Sequence, residues 1–193
     1  VPDAPDDPVL AALRATPRAR FLPRGQRRHA DEDRALPLWH GSTASQPSTV
    51  AAMLRLLAVP RGAHVLDVGA GSGWTTALLA HLVGPHGEVL GLELDPEVAA
   101  WGAANVARHL DRRAPHVRLE RAEPGTLGRA RPGGWDRILV SAAAAELPGT
   151  LVGMLADPGR LVLPVGARMH LVVLVAGRIT DSTHGSYAFV PLR

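Results

Sequence analysis

Apolar positions recur along this chain in two rhythms, and the point where they change divides it into unequal parts. Residues 1 to about 47 carry one short helical pattern, Pro8-Val-Leu-Ala-Ala-Leu-Arg-Ala, in a stretch otherwise rich in Pro, Arg and Asp. From Ser48 onward, apolar runs of strand length alternate with stretches whose apolar residues return every three or four positions, the signature of a βαβ sheet. The first such helix, Ser48 to Ala58, puts Val50, Met53, Leu54 and Leu57 on one face, with Ser48 expected as its N-cap. Strand His64-Val-Leu-Asp-Val follows, then a helix from Trp74 to Val83 and a strand from Glu88 to Leu94. Asp95-Pro96 supplies a cap followed by proline at the first helical position, opening a helix that runs to about His109. Val117 to Glu120 and Asp136 to Val140 read as strands, and Leu147 to Leu155 as a helix stopped by Asp157-Pro158-Gly159. Arg160 to Val165, Leu171 to Val175 and Tyr187 to Val190 complete the strands. No helical pattern separates the last two, so they are expected to form an antiparallel hairpin at the sheet edge.

The pattern therefore predicts an α/β chain with a mostly parallel sheet. Its 193 residues, 46% hydrophobic and 20% charged, fit one domain, with residues 1–47 as an N-terminal extension and 48–193 as the core. The absence of cysteine excludes disulfides, thiol nucleophiles and cysteine-ligated metals, and all 21 basic residues are Arg, which excludes Schiff-base lysine chemistry. The net charge of +3 is small, and the run Arg18, Arg20, Arg24, Arg27 and Arg28 reads as a solvated face, so no nucleic-acid partner is expected. No apolar run is long enough to span a membrane, and the acidic, Pro-rich stretch Val1 to Pro8 reverses the order of a secretory signal; a cytoplasmic protein is expected. The nine histidines show no metal-ligand spacing.

The candidate chemistry gathers around Val65-Leu-Asp-Val-Gly-Ala-Gly-Ser-Gly-Trp. Gly69, Gly71 and Gly73 fall at the carboxyl end of the first parallel strand, where glycine lets the backbone turn tightly and approach a ligand. Glu93 ends the next strand, where a carboxylate can accept bonds from ribose hydroxyls. A dinucleotide site would space its glycines as G-x-G-x-x-G, whereas here the third comes one residue early. Asp67, two residues before the first glycine, would repel a pyrophosphate yet suit an ammonium. The arrangement favours S-adenosyl-L-methionine over a nicotinamide cofactor. A plainer role for Asp67 is to tie down the glycine loop, and the two are compatible.

Further segments are similar to those of the protein-L-isoaspartate (D-aspartate) O-methyltransferases. Pro37-Leu-Trp-His-Gly-Ser-Thr-Ala-Ser-Gln-Pro resembles the family's P-I-G-x-G-Q-T-I-S-x-P, and residues 134–148 resemble its F-D-R-I-x-V-T-A-A-x-x-x-x-P. Pro158-Gly-Arg-Leu-Val-Leu-Pro-Val-Gly resembles P-G-G-R-L-V-I-P-V-G, and Phe189-Val-Pro-Leu the closing strand. The resemblance implies a Rossmann-like S-adenosylmethionine-dependent methyltransferase fold, a seven-stranded, mostly parallel sheet with an antiparallel edge hairpin and a swapped order of the last strands. It places Thr43 and Ser45 among hydroxyls lining the acceptor site. It also assigns Asp67, Gly69, Ala70, Gly71, Gly73, Glu93 and Leu94 to the donor site, with Glu123 near the adenine and Ala142 beside the transferring methyl. Departures fall at Trp39, where the family has glycine, at Ser42, where it has glutamine, at Asp31 in place of an aromatic, and around Ala122-Glu123-Pro124. They touch the acceptor pocket more than the donor pocket.

The implied activity is methyl transfer to the carboxylate of L-isoaspartyl or D-aspartyl residues in a protein or peptide, with S-adenosyl-L-homocysteine as product. Two alternatives stand beside it: an aspartyl O-methyltransferase dedicated to one modified peptide, and a cofactor-binding scaffold with weak catalysis. A monomer without nucleic-acid or membrane partners is expected.

Overall fold

The computed structural model describes residues 7–110, 114 and 116–193; the acidic start of the chain, residues 1–6, lies outside the described residues. Helix α1 (Pro8–Ala15) is capped by Asp7, whose carboxylate accepts the Val9 N–H at 2.9 Å. Two short strands, β1 (Leu36–Pro37) and β2 (Thr43–Ala44), form a small antiparallel hairpin. Then come α2 (Pro47–Leu57), β3 (His64–Val68), α3 (Trp74–Val83), β4 (Glu88–Glu93), α4 (Pro96–Leu110), β5 (Val117–Arg121), β6 (Trp135–Val140) and α5 (Gly149–Val152). Strands β7 (Leu155–Val165), β8 (Arg168–Val175) and β9 (Arg178–Ser186) close the order.

The seven-stranded sheet runs β5-β4-β3-β6-β7-β8-β9. Pairings from β5 through β7 are parallel, and β8 and β9 add antiparallel in chain order. Period-two alternation sorts the side chains between two cores. Val65, Val89, Leu139 and Val162 face the layer of α1, α2 and α3, while Leu66, Leu90, Ile138 and Leu161 face the opposite cluster with Trp135 and Leu151. The same alternation sends Asp67, two residues from Val65, towards α3. The chain order reverses at β3, which has β4 on one side and β6 on the other, and ligands of such sheets sit outside the carboxyl ends of strands at that point.

Three expectations are corrected. Helix α2 begins at Pro47 rather than Ser48: proline is suited to the first helical position, and Asp33, from 15 residues earlier, accepts the Ser48 N–H at 2.8 Å in place of a serine cap. The helix expected over Leu147 to Leu155 shrinks to one turn between Gly149 and Gly153, because Leu155 is drawn into the sheet opposite Trp135 and strand β7 runs through Asp157-Pro158-Gly159. The edge hairpin exists, but its second strand is the polar Arg178–Ser186, joined through Ala176 and Gly177, both at positive φ (50° and 74°), the geometry of a tight hairpin turn. Tyr187 to Val190 leaves the sheet and crosses to Ala143, where the Ala143 N–H meets the Val190 carbonyl at 2.8 Å.

Candidate active site

A cleft of about 360 Å³ opens at the carboxyl ends of β3, β4 and β6. Its floor is the turn after β3. The Gly69 and Ala70 N–H groups both donate to the Leu92 carbonyl of β4, at 2.8 and 3.0 Å, which fixes this turn against the neighbouring strand. Gly69 and Gly71 sit at φ of 73° and 52°, a region that favours glycine, and both line the cleft. Ala70 lines a smaller adjoining hollow of about 30 Å³. Gly73 lines neither space. A Cβ there would stand 2.6 Å from Val106 Cγ2 and 2.8 Å from the Gly102 carbonyl, so its place is the seam between α3 and α4.

Glu93 is buried at the end of β4 and lines the cleft. Its carboxylate accepts the Gly71 N–H at 2.9 Å and the Asp95 N–H at 3.1 Å, so one side chain braces the glycine turn and the start of α4. Asp95 in turn caps α4, its Oδ1 accepting the Glu97 and Val98 N–H groups at 3.0 Å each. Asp67 is fully buried beneath the turn and lines neither space. Its Oδ2 accepts the Thr75 and Thr76 hydroxyls at 2.7 Å, while Oδ1 has no partner. Burial pushes its pKa up to about 6, against the pull of the two hydroxyls, and the charge of Glu93 adds to the rise.

The walls come from further along the chain. Leu94 and Ala142 line the cleft, the first after β4 and the second after β6, and Glu123 stands exposed on the loop after β5. That loop, residues 122–134, joins two parallel strands without a helix; Pro124, Gly125, Gly128, Pro132, Gly133 and Gly134 suppress one. The chain's last residues, Val190 to Arg193, form a further wall, held by the Leu192 N–H donating to the Ala143 carbonyl at 2.8 Å.

The roof is the β1–β2 hairpin. Leu38 N–H donates to Ser42 O and Ser42 N–H to Trp39 O, both at 2.9 Å, around His40 (φ 52°) and Gly41 (φ 78°), a two-residue turn with both central residues left-handed. Thr43 lines both spaces, and Ser45 lines only the smaller hollow. The pair is thus brought to the glycine turn, with Thr43 reaching the cleft itself. Arg18 fixes this segment. Only 5% exposed, it donates to five carbonyls, those of Ala30, Glu32, Arg34, Ala44 and Ser45, at 2.9 to 3.4 Å, and lies over the Trp74 ring. The expectation that Arg18 belongs to a solvated arginine face is corrected: its neighbour Phe21 draws the segment inward, and burial lowers the guanidinium pKa. Trp74 donates its indole N–H to the Thr16 carbonyl at 3.0 Å and belongs to the core.

Sequence reasoning missed Arg18 and the wall of Val190 to Arg193. The first carries no local signal among so many arginines, and the second reads as a strand because Phe189 and Val190 are apolar. Among the described residues, no group of His, Asp and Glu is placed to hold a metal ion, and no helix is long and apolar enough to cross a membrane.

An adenosyl amino acid fits this cleft by size and chemistry. The volume lies in the range of small-molecule sites. Glu93 and Glu123 offer hydroxyl and amine acceptors, Leu94 and Leu127 an apolar lining, and Asp67 Oδ1 an unpartnered buried acceptor under the turn.

Comparison with known proteins agrees with this architecture. The family model described as protein-L-isoaspartate(D-aspartate) O-methyltransferase (PCMT) matches residues 4–193. The protein-L-isoaspartate O-methyltransferase of Aeropyrum pernix is 39% identical over 189 residues, covering 95% of this chain and 72% of its own. That of Aeromonas hydrophila is 40% identical over 193 residues, covering 98% and 91%. A PCMT crystal structure from Plasmodium falciparum, in complex with S-adenosyl-L-homocysteine, superposes with a TM-score of 0.83 at 25% identity, covering 98% of this chain and 91% of that one. By sequence and by fold, this chain belongs to the protein-L-isoaspartate(D-aspartate) O-methyltransferase family.

Proposed function

We propose that this chain is an S-adenosyl-L-methionine-dependent carboxyl O-methyltransferase that esterifies L-isoaspartyl, or D-aspartyl, residues of proteins or peptides and releases S-adenosyl-L-homocysteine. The observation that carries the reading is the cleft itself: a braced glycine turn and buried Glu93 below, and the Thr43 hydroxyl above. In this reading Gly69, Gly71, Glu93, Leu94, Glu123 and Ala142 bind the donor. Ala70 and Gly73 shape the turn, and Asp67, buried beneath it, supports it through the Thr75 and Thr76 hydroxyls.

The bound donor supplies an electrophilic methyl group on a positively charged sulfur. The acceptor carboxylate needs no base, because at neutral pH it is ionised, far above its reference pKa of about 4. The protein's part is to orient that carboxylate and to exclude water. Thr43 and Ser45 donate hydrogen bonds that hold the acceptor, and Arg18 holds the backbone that carries them. The resulting methyl ester closes to a succinimide as the adjoining backbone amide nitrogen attacks the ester carbonyl and methanol leaves, and water reopens the ring partly as normal aspartate, a repair outcome. Residues 1–47 act as the extension that carries the acceptor segment and 48–193 as the core, within one domain. The same reading takes the chain to be a cytoplasmic monomer.

The test is incubation with labelled donor and paired isoaspartyl and aspartyl peptides, scored as base-labile methyl ester. Ester on the isoaspartyl peptide alone is expected. Ester on the aspartyl twin alone would replace this reading with that of a dedicated aspartyl enzyme. Donor binding without ester on any acceptor would leave only a scaffold.

A further inference from the structure

The hairpin tip makes contacts that its hydrogen-bonded turn does not require. The Trp39 ring packs on Trp101 of α4, with centroids 4.5 Å apart and planes at 56°, although Trp39 is 38% exposed. Beside it, His40 Nδ1 lies 2.7 Å from Asp95 Oδ2, and Nε2 lies 3.6 Å from Glu97 Oε2. The tip is therefore fastened to α4 and its cap by one aromatic pair and by His40 between two carboxylates. Asp95 also reaches the floor: its N–H is held by Glu93, whose carboxylate holds Gly71. Immediately after the tip, Ser42 and Thr43 line the cleft. Any opening of the roof above the donor site must separate Trp39 from Trp101 and His40 from Asp95.

We infer that Trp39 and His40 form a clamp that closes the hairpin over the methyl-donor cleft and sets the rate at which donor and spent donor exchange. This inference rests on the donor site proposed above. Trp39 stands where the resembling pattern has glycine, so the aromatic half of the clamp belongs to this chain's own sequence. The ionic half responds to pH. Asp95, which caps α4, and Glu97 in its first turn are the charged groups facing His40, and residues 36–44 of the hairpin carry no other titratable side chain. The Asp95 hydrogen bond and charge hold the His40 pKa above its ordinary value. Protonated His40 thus fastens the tip below that raised pKa, and its attraction to the two carboxylates is lost as pH rises through it.

The experiment follows release of labelled S-adenosyl-L-homocysteine, chased with excess unlabelled compound, from wild type, Trp39→Ala, Trp101→Ala and His40→Gln. Titration calorimetry first establishes that wild type binds this compound, and melting curves show that each variant folds. An exposed-to-intermediate aromatic pair implies roughly 2- to 10-fold faster release in each tryptophan variant. Wild-type release should accelerate as pH rises above the ordinary histidine value of 6.5 and through the raised pKa, and His40→Gln should be flat over the same range. Folded tryptophan variants that release as slowly as wild type, or a pH profile that survives in His40→Gln, would overturn the clamp while leaving the donor site intact. No binding to wild type would overturn the donor site and the clamp with it.

Discussion

Replacing Gly102 by alanine sets two opposing effects against each other at the heart of the site. Gly102 lies inside α4, and helix propensity alone would make Gly102→Ala stabilising by about 1 kcal/mol. Its surroundings argue the reverse. The new Cβ would stand 2.4 Å from the Gly71 carbonyl oxygen, 3.0 Å from Leu119 Cδ1 and 3.3 Å from the Ser72 carbonyl carbon. Two of these three are backbone atoms of the glycine turn, which cannot swing aside as a side-chain end can. Nor is the turn loose: Glu93 holds the Gly71 N–H, and Asn105 donates to the Ser72 carbonyl at 3.1 Å. Relief therefore needs a separation of about 1 Å between α4 and the turn to restore ordinary contact distances. Overpacking of this kind costs roughly 1–3 kcal/mol, which outweighs the propensity gain. The expected net loss is about 1 kcal/mol, or a fall of about 2–4 °C in Tm for a chain of this size. The larger effect is functional, since a displacement of about 1 Å in positioning groups can lower turnover by about 100-fold. Calorimetric melting and a methyl-transfer assay would measure both, and donor titration reports on the floor itself. A rise in Tm with unchanged donor affinity would refute the claim that α4 and the glycine turn touch through this glycine.

Substitutions at three other residues probe the roof and the buried charges. Ser45→Ala should lower turnover by several-fold, on the order of one lost hydrogen bond, while donor affinity measured by calorimetry stays unchanged; equal turnover would remove Ser45 from the acceptor contact. Arg18→Met takes a donor from five carbonyls and should destabilise the chain by about 3–5 kcal/mol, the cost of several buried acceptors losing a partner, read as a lower denaturation midpoint, and Arg18→Lys should recover little because one ammonium cannot span both forks. Asp67 has a folded pKa raised from 3.8 to about 6, so its contribution favours the fold below pH 3.8 and is lost as pH rises through about 6. Over that window Asp67→Asn should gain about 3 kcal/mol relative to wild type, at 1.36 kcal/mol per pKa unit; parallel stability curves for the two proteins would refute the burial of an ionisable Asp67.

The floor of the site was legible in the sequence because short-range rules build it. His64–Val68, Trp74–Val83 and the Asp95-Pro96 start of α4 stand within a residue of where periodicity and capping put them. What escaped was set by distant partners. Asp33 displaces Ser48 as the anchor of α2 from 15 positions away, and Arg18 is buried because carbonyls up to 27 residues later converge on it. Strand β9 was invisible for another reason: an exposed edge strand needs no apolar alternation, so Arg178–Ser186 reads as a loop, while the apolar Tyr187 to Val190 serves the cleft wall instead.

This division bears on how the site tolerates change. Glu93 is bonded at once to Gly71 and Asp95, and Gly102 touches the same turn, so altering one floor residue disturbs the others. Trp39 and His40 touch α4 only through their side chains, and the turn that carries them is closed by backbone bonds between Trp39 and Ser42. Substitution at the tip can therefore change how firmly the roof is held without breaking the floor. The departures at Trp39 and Ser42 both fall on this roof, where a change in sequence can alter acceptor entry or donor exchange while the donor-binding floor keeps its bonds.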